Sequence, residues 1–479
     1  MSPFRNILKL SVGDFVSKAA YFLAFVYMAQ KLGVGGYGVL EFAIAIRTYL
    51  LLLADAGLEL WAVREAARGG NPAALVARVV PARLVLAVTA LASTGLLNFV
   101  SAPAGLGRLL PLLTATVLVQ AFNLKWVFMG QERMTGVAGG LIASQLAFAG
   151  CVFALVHRPS DLMLVPAAFL AAEIVMAAYF GALFIRSHGM PSLIPDWRGI
   201  GGIVQPVLTL GASQCLGLMS YNVGSILIGI LLGPGPVGWY AAAYKPVTAV
   251  LAAPVTYYQG LFPALSRSFH EDRETFRGIL LRSVRLSAIF AIPVGIGGTL
   301  LAEPVIRLLF GAGYEPSVPA LQLLSWSAVL VMLRGNFRHT LNAVGKQRLD
   351  LICAAAAAVV NVALNLALIP RYGITGAAAA TVTSEVAWFF LAWYLFSRHV
   401  AAVPLLAALW RPVIAGMAMA ACLSAGEQLQ WMLRAAVAMA VYGFILVLSG
   451  EPELRQLLAR RSPGAGPSLM ASTKTGSAR

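Results

Sequence analysis

The sequence predicts an all-α polytopic membrane protein. It should have about 14 transmembrane helices, built as two six-helix lobes around a central cationic cleft plus two further helices at the C-terminal end. Three observations carry this reading. Apolar residues make up 59% of the chain and charged residues 11%, with a mean hydropathy of +0.80, whereas soluble domains carry roughly 25% charge. Apolar stretches able to cross a hydrocarbon layer of about 30 Å recur along nearly the whole length. The chain also repeats its own turn motifs at an offset of 200 to 215 residues.

In chain order the spans fall near 9–31, 39–62, 84–103, 109–130, 137–156, 163–185, 203–232, 237–264, 286–302, 317–337, 350–369, 374–396, 404–425 and 431–449. With loops assigned to alternating sides, the side of the N-terminus receives 24 of the 35 Lys and Arg, the opposite side six, and five lie within spans. Basic loops stay in the cytoplasm, so both termini are expected on the cytoplasmic side. The net charge of +16 then reflects topology and some attraction to anionic lipid, and nucleic acid is not an expected partner. The first apolar segment is too long for a cleavable signal peptide, and no small-residue cleavage site follows it.

The longest charged loop, "SRSFHEDRETFRGILLRSVR", divides the chain near its middle. The expected units are an N-lobe (1–198, spans 1–6), a C-lobe (199–400, spans 7–12), two extra spans (401–450) and a polar tail (451–479) whose Gly, Ser and Pro content predicts disorder. Cys151, Cys215, Cys353 and Cys422 lie inside apolar segments without metal-ligand or paired spacing.

The repeat is legible in three places. "LGVGGYG" after span 1 returns as "LGPGPVG" after span 7, so that Gly33, Gly35 and Gly38 correspond to Gly233, Gly235 and Gly238. "MGQERM" at the end of span 4 returns as "VGKQRL" after span 10, and Glu173 in span 6 returns as Glu385 in span 12. Six is an even number, so the two copies are parallel repeats, a construction common among alternating-access transporters.

Charges inside spans mark substrate or ion pathways more often than not. Arg47 lies about two turns from each end of its apolar stretch, too deep for easy snorkelling, and its partner must come from another helix or from a ligand. Lys18, Lys125, Lys245 and Arg334 complete the deep basic set. Among acids, Asp14, Asp55, Glu173 and Glu385 are candidates for ion pairing or coupling. Plainer readings stand beside these: Asp14 and Lys18 are four apart on one helix face, Asp55 and Glu59 could be solvated or cap neighbours, and Lys125 could snorkel. Taken together, surplus positive charge in a cleft suits an anionic substrate, and the arginine fork suits phosphate oxygens. The neighbouring Tyr21, Phe25, Trp126 and Tyr258 could pack as ordinary core or stack on sugars.

"DAGLELWAVREAAR", "WVFMGQERM", "GPVGWYAAAYKPVTAVLAAPVTYYQGLFPALSR" and "NVALNLALIPRYGITGAAAATVTSE" together resemble the Wzx-type polysaccharide flippases of the MATE-like exporter superfamily, over about 400 residues in the right order. That resemblance implies two lobes in a V around a cationic cleft. It also implies translocation of an undecaprenyl-pyrophosphate-linked oligosaccharide to the outer leaflet, in contact with membrane lipids and polysaccharide assembly proteins. A lipid II flippase and a cation-coupled multidrug antiporter would share the fold. An integral membrane glycosyltransferase would need a catalytic constellation on a substantial loop. The five histidines are scattered and no P-loop, HExxH or paired-carboxylate motif is present, so no cofactor or catalytic residue is expected.

Overall fold

The computed structural model describes residues 3–97, 105–190, 195–426 and 430–451. Asp14 and Cys215 belong to helical stretches whose side chains lie outside the description, as do Glu427 and the tail beyond 451. Among the described residues there are helices and no strands. They are α1 (Pro3–Asp55), α2 (Leu58–Ala67), α3 (Pro72–Leu97), α4 (Leu106–Gln120), α5 (Lys125–Gly130), α6 (Met134–Leu155), α7 (Val165–His188), α8 (Trp197–Leu232), α9 (Pro234–Glu271), α10 (Arg273–Leu300), α11 (Ala302–Phe310), α12 (Val318–Ala343), α13 (Gln347–His399), α14 (Leu405–Ala425) and α15 (Trp431–Leu448). Short 3₁₀ turns, Pro159–Leu164 and Ala312–Ser317, precede α7 and α12. Nine stretches among the described residues are long and apolar enough to cross a membrane.

Glycines punctuate the longest elements. A straight helix of 53 residues would run about 80 Å, far beyond one bilayer, and α1 breaks at Gly33 (φ 67°, ψ 174°). Gly233, between α8 and α9, takes nearly the same conformation (φ 88°, ψ −179°). That region of backbone space is essentially confined to glycine, so the "LGxG" repeat encodes a shared turn as well as a shared composition. α13 breaks likewise at Gly373 (φ 58°).

α1 packs on α3, α4 and α6 within the first half of the chain; α12 packs on α9, α10 and α13 within the second; α14 and α15 pair with each other, with α14 against α10. The halves meet along α1 and α9, with α8 against α1, α2 and α3. A single apolar cluster runs through this seam, joining Phe25, Met28 and Leu40 to Val237, Ala242 and Ile374. Close approach at both ends of the seam depends on small residues, as helix packing in membranes generally does. At the end bearing Gly33 and Gly233, Tyr314 donates from its hydroxyl to the Ala29 carbonyl (2.8 Å), and Gln30 Nε2 donates to the Leu309 carbonyl (2.7 Å). At the opposite end, which carries the linker between α9 and α10, Gly57 of the α1–α2 turn faces Gly211 of α8, with no room for a Cβ on either.

Candidate functional site

The five basic residues grouped by the sequence do not form one cluster. They fall into three sets, and each set has its own counter-charge.

In the first half, Arg47 is buried between α1, α4 and α7. Its Nε donates to the Leu113 carbonyl (3.1 Å) and its Nη2 to Thr116 Oγ1 (2.8 Å). Glu173 Oε1 lies 3.6 Å from Nη2, and the guanidinium stands 5.1 Å from the centre of the Phe169 ring. The partner left open by the sequence is therefore Glu173, six spans into the reading, and the donors of Arg47 are directed inward. Deeper toward the linker end, Asp55, Glu59, Arg83 and Lys125 form a four-membered network. Arg83 Nη2 meets Asp55 Oδ1 (2.6 Å) and Glu59 Oε2 (3.3 Å), and Lys125 Nζ meets Glu59 Oε1 (2.8 Å). Asp55, Glu59 and Arg83 line a cavity of about 60 Å³ together with Gln120, room enough for water. Lys125 thus has Glu59 as its counter-charge.

In the second half, Arg334 is buried in α12. Its side chain is 2% exposed. Glu385 engages it through two oxygens, Nε–Oε2 at 2.6 Å and Nη2–Oε1 at 3.2 Å, and its guanidinium lies 3.6 Å from the Trp388 ring centre. The sequence reading assigned the fork to a phosphate, but the bidentate acceptor is a carboxylate two helical segments away on α13. Glu173 and Glu385, the repeat-related acids, each face an arginine, but those arginines come from non-corresponding helices, α1 and α12.

The third set lies on the seam. Lys245 of α9 reaches across to Glu41 of α1, Nζ–Oε1 2.8 Å, with side chains 16% and 11% exposed. The ammonium stands 3.6 Å from the Phe25 ring centre and 5.6 Å from that of Tyr21. Lys18, exposed on α1, is three and seven residues before those aromatics and so continues their helix face. Of the basic residues singled out in the sequence, Lys245 makes its contact across the seam.

Three residues escaped the sequence reading. Arg83 was assigned to a basic loop but lies buried in α3, because that helix begins at Pro72 rather than near 84. Glu59 was treated as a cap neighbour and proves to be the centre of the network. Glu41, close to the start of the apolar stretch 39–62, is the partner of Lys245. Asp55 and Glu59 are brought together by the α1–α2 turn at Ala56 and Gly57, across which the Glu59 amide donates to the Asp55 carboxylate (3.2 Å).

Comparison with known proteins gives this geometry a family. The profile described as Polysaccharide biosynthesis protein matches residues 4–269, more than half of the chain. The chain belongs to the polysaccharide biosynthesis protein family. A second profile, described as Lipid II flippase MurJ, matches residues 253–449. Relatives of this family member include the probable low-salt glycan biosynthesis flippase of Haloferax volcanii, 21% identical over 80% of this chain and 81% of the relative. The putative O-antigen transporter of Escherichia coli is 24% identical over 70% of this chain and 81% of the relative. In fold, the polysaccharide biosynthesis family chain is similar to the lipid II flippase MurJ in an inward closed conformation, with TM-score 0.73 at 13% identity, covering 94% of this chain and 99% of that one. It is also similar to an inward-facing MATE family multidrug transporter, TM-score 0.66 at 14% identity, covering 80% and 95%.

Proposed function

We propose that the protein carries a lipid-linked oligosaccharide of the undecaprenyl-pyrophosphate class from the cytoplasmic to the outer leaflet of the bacterial cytoplasmic membrane, by alternate opening of the seam between two six-helix halves. It is a transporter rather than an enzyme, and its family membership and the names of its relatives support that reading. The observation that carries it is the Lys245–Glu41 pair on the seam.

An anionic diphosphate entering between α1 and α9 can replace Glu41 as the counter-charge of Lys245. Exchanging one anion for another leaves the ammonium partnered throughout, which avoids the large cost of stranding a desolvated charge. The same exchange frees Glu41 and loosens the link between the halves, so substrate entry is coupled to opening. Tyr21 and Phe25 lie beneath the ammonium, and Lys18 continues their face. Several modest contacts of this kind permit release on the other side. The remaining basic residues act at one remove, by pairing with buried carboxylates inside each half.

The test is flipping of a fluorescent polyprenyl-diphosphate oligosaccharide in proteoliposomes. Lys245→Met should lower the rate by about tenfold or more, the worth of one charge-assisted contact, while Lys245→Arg retains a measurable part. Wild-type protein that flips no faster than empty vesicles would sink the proposal. Orientation is tested separately: His270→Cys should be labelled from the cytoplasmic side and Pro234→Cys from outside. A second cargo, lipid II, is favoured by the profile match over residues 253–449, and the same vesicles loaded with lipid II distinguish it. Contact with polysaccharide assembly proteins is read by co-purification from membranes.

A further inference from the structure

Away from the seam, α9, α10 and α12 enclose a cavity of about 310 Å³, lined by Val250, Pro254, Tyr257, Leu286, Phe290 and Met332. Its size is at the lower end of small-molecule pockets, roughly 300 Å³ and upward. The polar groups at its floor are already engaged. The Tyr258 hydroxyl bonds the Met332 carbonyl and Ser287 Oγ, and Asn336 Nδ2 holds Ser287 Oγ at 3.0 Å. An occupant is therefore offered shape and apolar contact, with little for water to bond. The mouth opens sideways: Val250 is 39% exposed and Phe290 69%, so both present apolar surface to the surroundings of the bundle.

Charge is distributed at one end of this slot. Along α10 residues four apart share a face, so Arg282 continues the stripe of Leu286 and Phe290 about 6 Å nearer the linker, with Arg285 beside it. Arg267, Arg273 and Arg277 lie farther along in the same direction, accompanied by Glu271, Asp272 and Glu274 at the linker tip. Among the described residues, no acidic side chain lines the slot. An apolar slot open at the side of the bundle, on a helix that runs on into arginines toward the linker, fits an amphiphile with one chain and a compact, multiply charged head. A glycerophospholipid has two chains and one phosphodiester charge; a polyprenyl diphosphate has one chain, methyl-branched to fill a broad cavity, and a head suited to two arginine forks.

We infer that the slot between α9 and α10 holds the head-proximal part of the polyprenyl chain of the carrier lipid, with its diphosphate at Arg282 and Arg285. This inference rests on the flippase reading above. It makes the flank of α9 opposite Lys245 a waiting site for the carrier beside the seam.

The full chain in nanodiscs, carrying a photoreactive group at position 250, should crosslink to a polyprenyl diphosphate that bears no sugar. Excess phospholipid should not compete. Val250→Trp, which fills the mouth, should weaken binding about tenfold, and Arg282→Gln with Arg285→Gln, at positions whose change leaves the core intact, should do the same. Crosslinks to phospholipid that polyprenyl diphosphate does not displace, or undiminished binding in both variants, would overturn the assignment. Flipping measured in parallel separates the two ideas. Binding without flipping in wild type rejects the transport reading and leaves the slot; flipping with unaltered variants rejects the slot and leaves transport.

Discussion

Gly38 and Gly238, 200 residues apart in the chain, meet backbone to backbone where α1 crosses α9. A Cβ placed on Gly38 would stand 1.9 Å from the Pro234 carbonyl oxygen, and one on Gly238 would stand 2.6 Å from the Val34 carbonyl oxygen. These positions correspond in the internal repeat, so the repeat touches itself here. Gly38→Ala should cost on the order of 1–3 kcal/mol through forced separation of the helices. Gly35→Ala, where nothing lies within 4 Å, should be close to neutral. Thermal unfolding of the detergent-solubilised variants ranks the two, and equal melting points would contradict the close contact.

Exchanging the charges of the seam separates holding from handling. Lys245→Glu and Glu41→Lys should each destabilise the protein, because each places like charges together in a poorly hydrated site. The double exchange should restore most of the stability, as judged by melting and by membrane levels. Transport should remain low in the double variant, since the cation then projects from α1 instead of α9. Recovery of transport to the wild-type rate would show that the position of the cation is unimportant.

Arg334 and Glu385 should behave as a buried structural pair. Arg334→Met alone leaves the Glu385 carboxylate without its guanidinium and should cost roughly 3–5 kcal/mol. Arg334→Met combined with Glu385→Leu removes both charges and should recover most of that loss, with transport per folded molecule near wild type. A stable but inactive double variant would return Arg334 to the substrate path.

The legible part of this molecule was what hydropathy and glycine dictate. Nine stretches among the described residues are long and apolar enough to cross a membrane. Two of the expected spans are interrupted, 39–62 at Ala56 and Gly57 and 109–130 between α4 and α5, and the glycine motif at 33 and 233 specifies one turn conformation twice. Pairing was much less legible. Arg47 and Glu173 are 126 residues apart, and nothing local announces that α1 and α7 bring them together. A deep cation does not by itself announce a ligand, as Arg334 and Glu385 show, because hydrocarbon imposes the same demand for a counter-charge whether it comes from a ligand or a neighbouring helix. Arg83 was missed for a simpler reason: its helix starts more than two turns earlier than the hydropathy suggested, which drew a loop cation into the interior.

For Arg47, the geometry predicts a fork-dependent anchor. Arg47→Lys keeps a charge near Glu173 but cannot reach the Leu113 carbonyl and Thr116 hydroxyl from one planar group. It should destabilise by about 1–3 kcal/mol. Thr116→Val, which removes one acceptor, should cost about 1 kcal/mol. Transport normalised to folded protein should change little in either. A large loss of transport in Arg47→Lys at unchanged melting temperature would place Arg47 in contact with substrate.

Because Arg47 travels with Glu173, Arg334 with Glu385, and Arg83 and Lys125 with Asp55 and Glu59, each half carries its buried charge as a balanced set. A membrane potential acts on net charge displaced along the field, about 2.3 kcal/mol per elementary charge for each 100 mV. Rigid rotation of two internally balanced bodies displaces almost none, and Lys245 and Glu41 part from nearly the same depth. The conformational cycle of the empty protein should therefore be electrically silent, and any voltage dependence of transport should scale with the charge of the cargo.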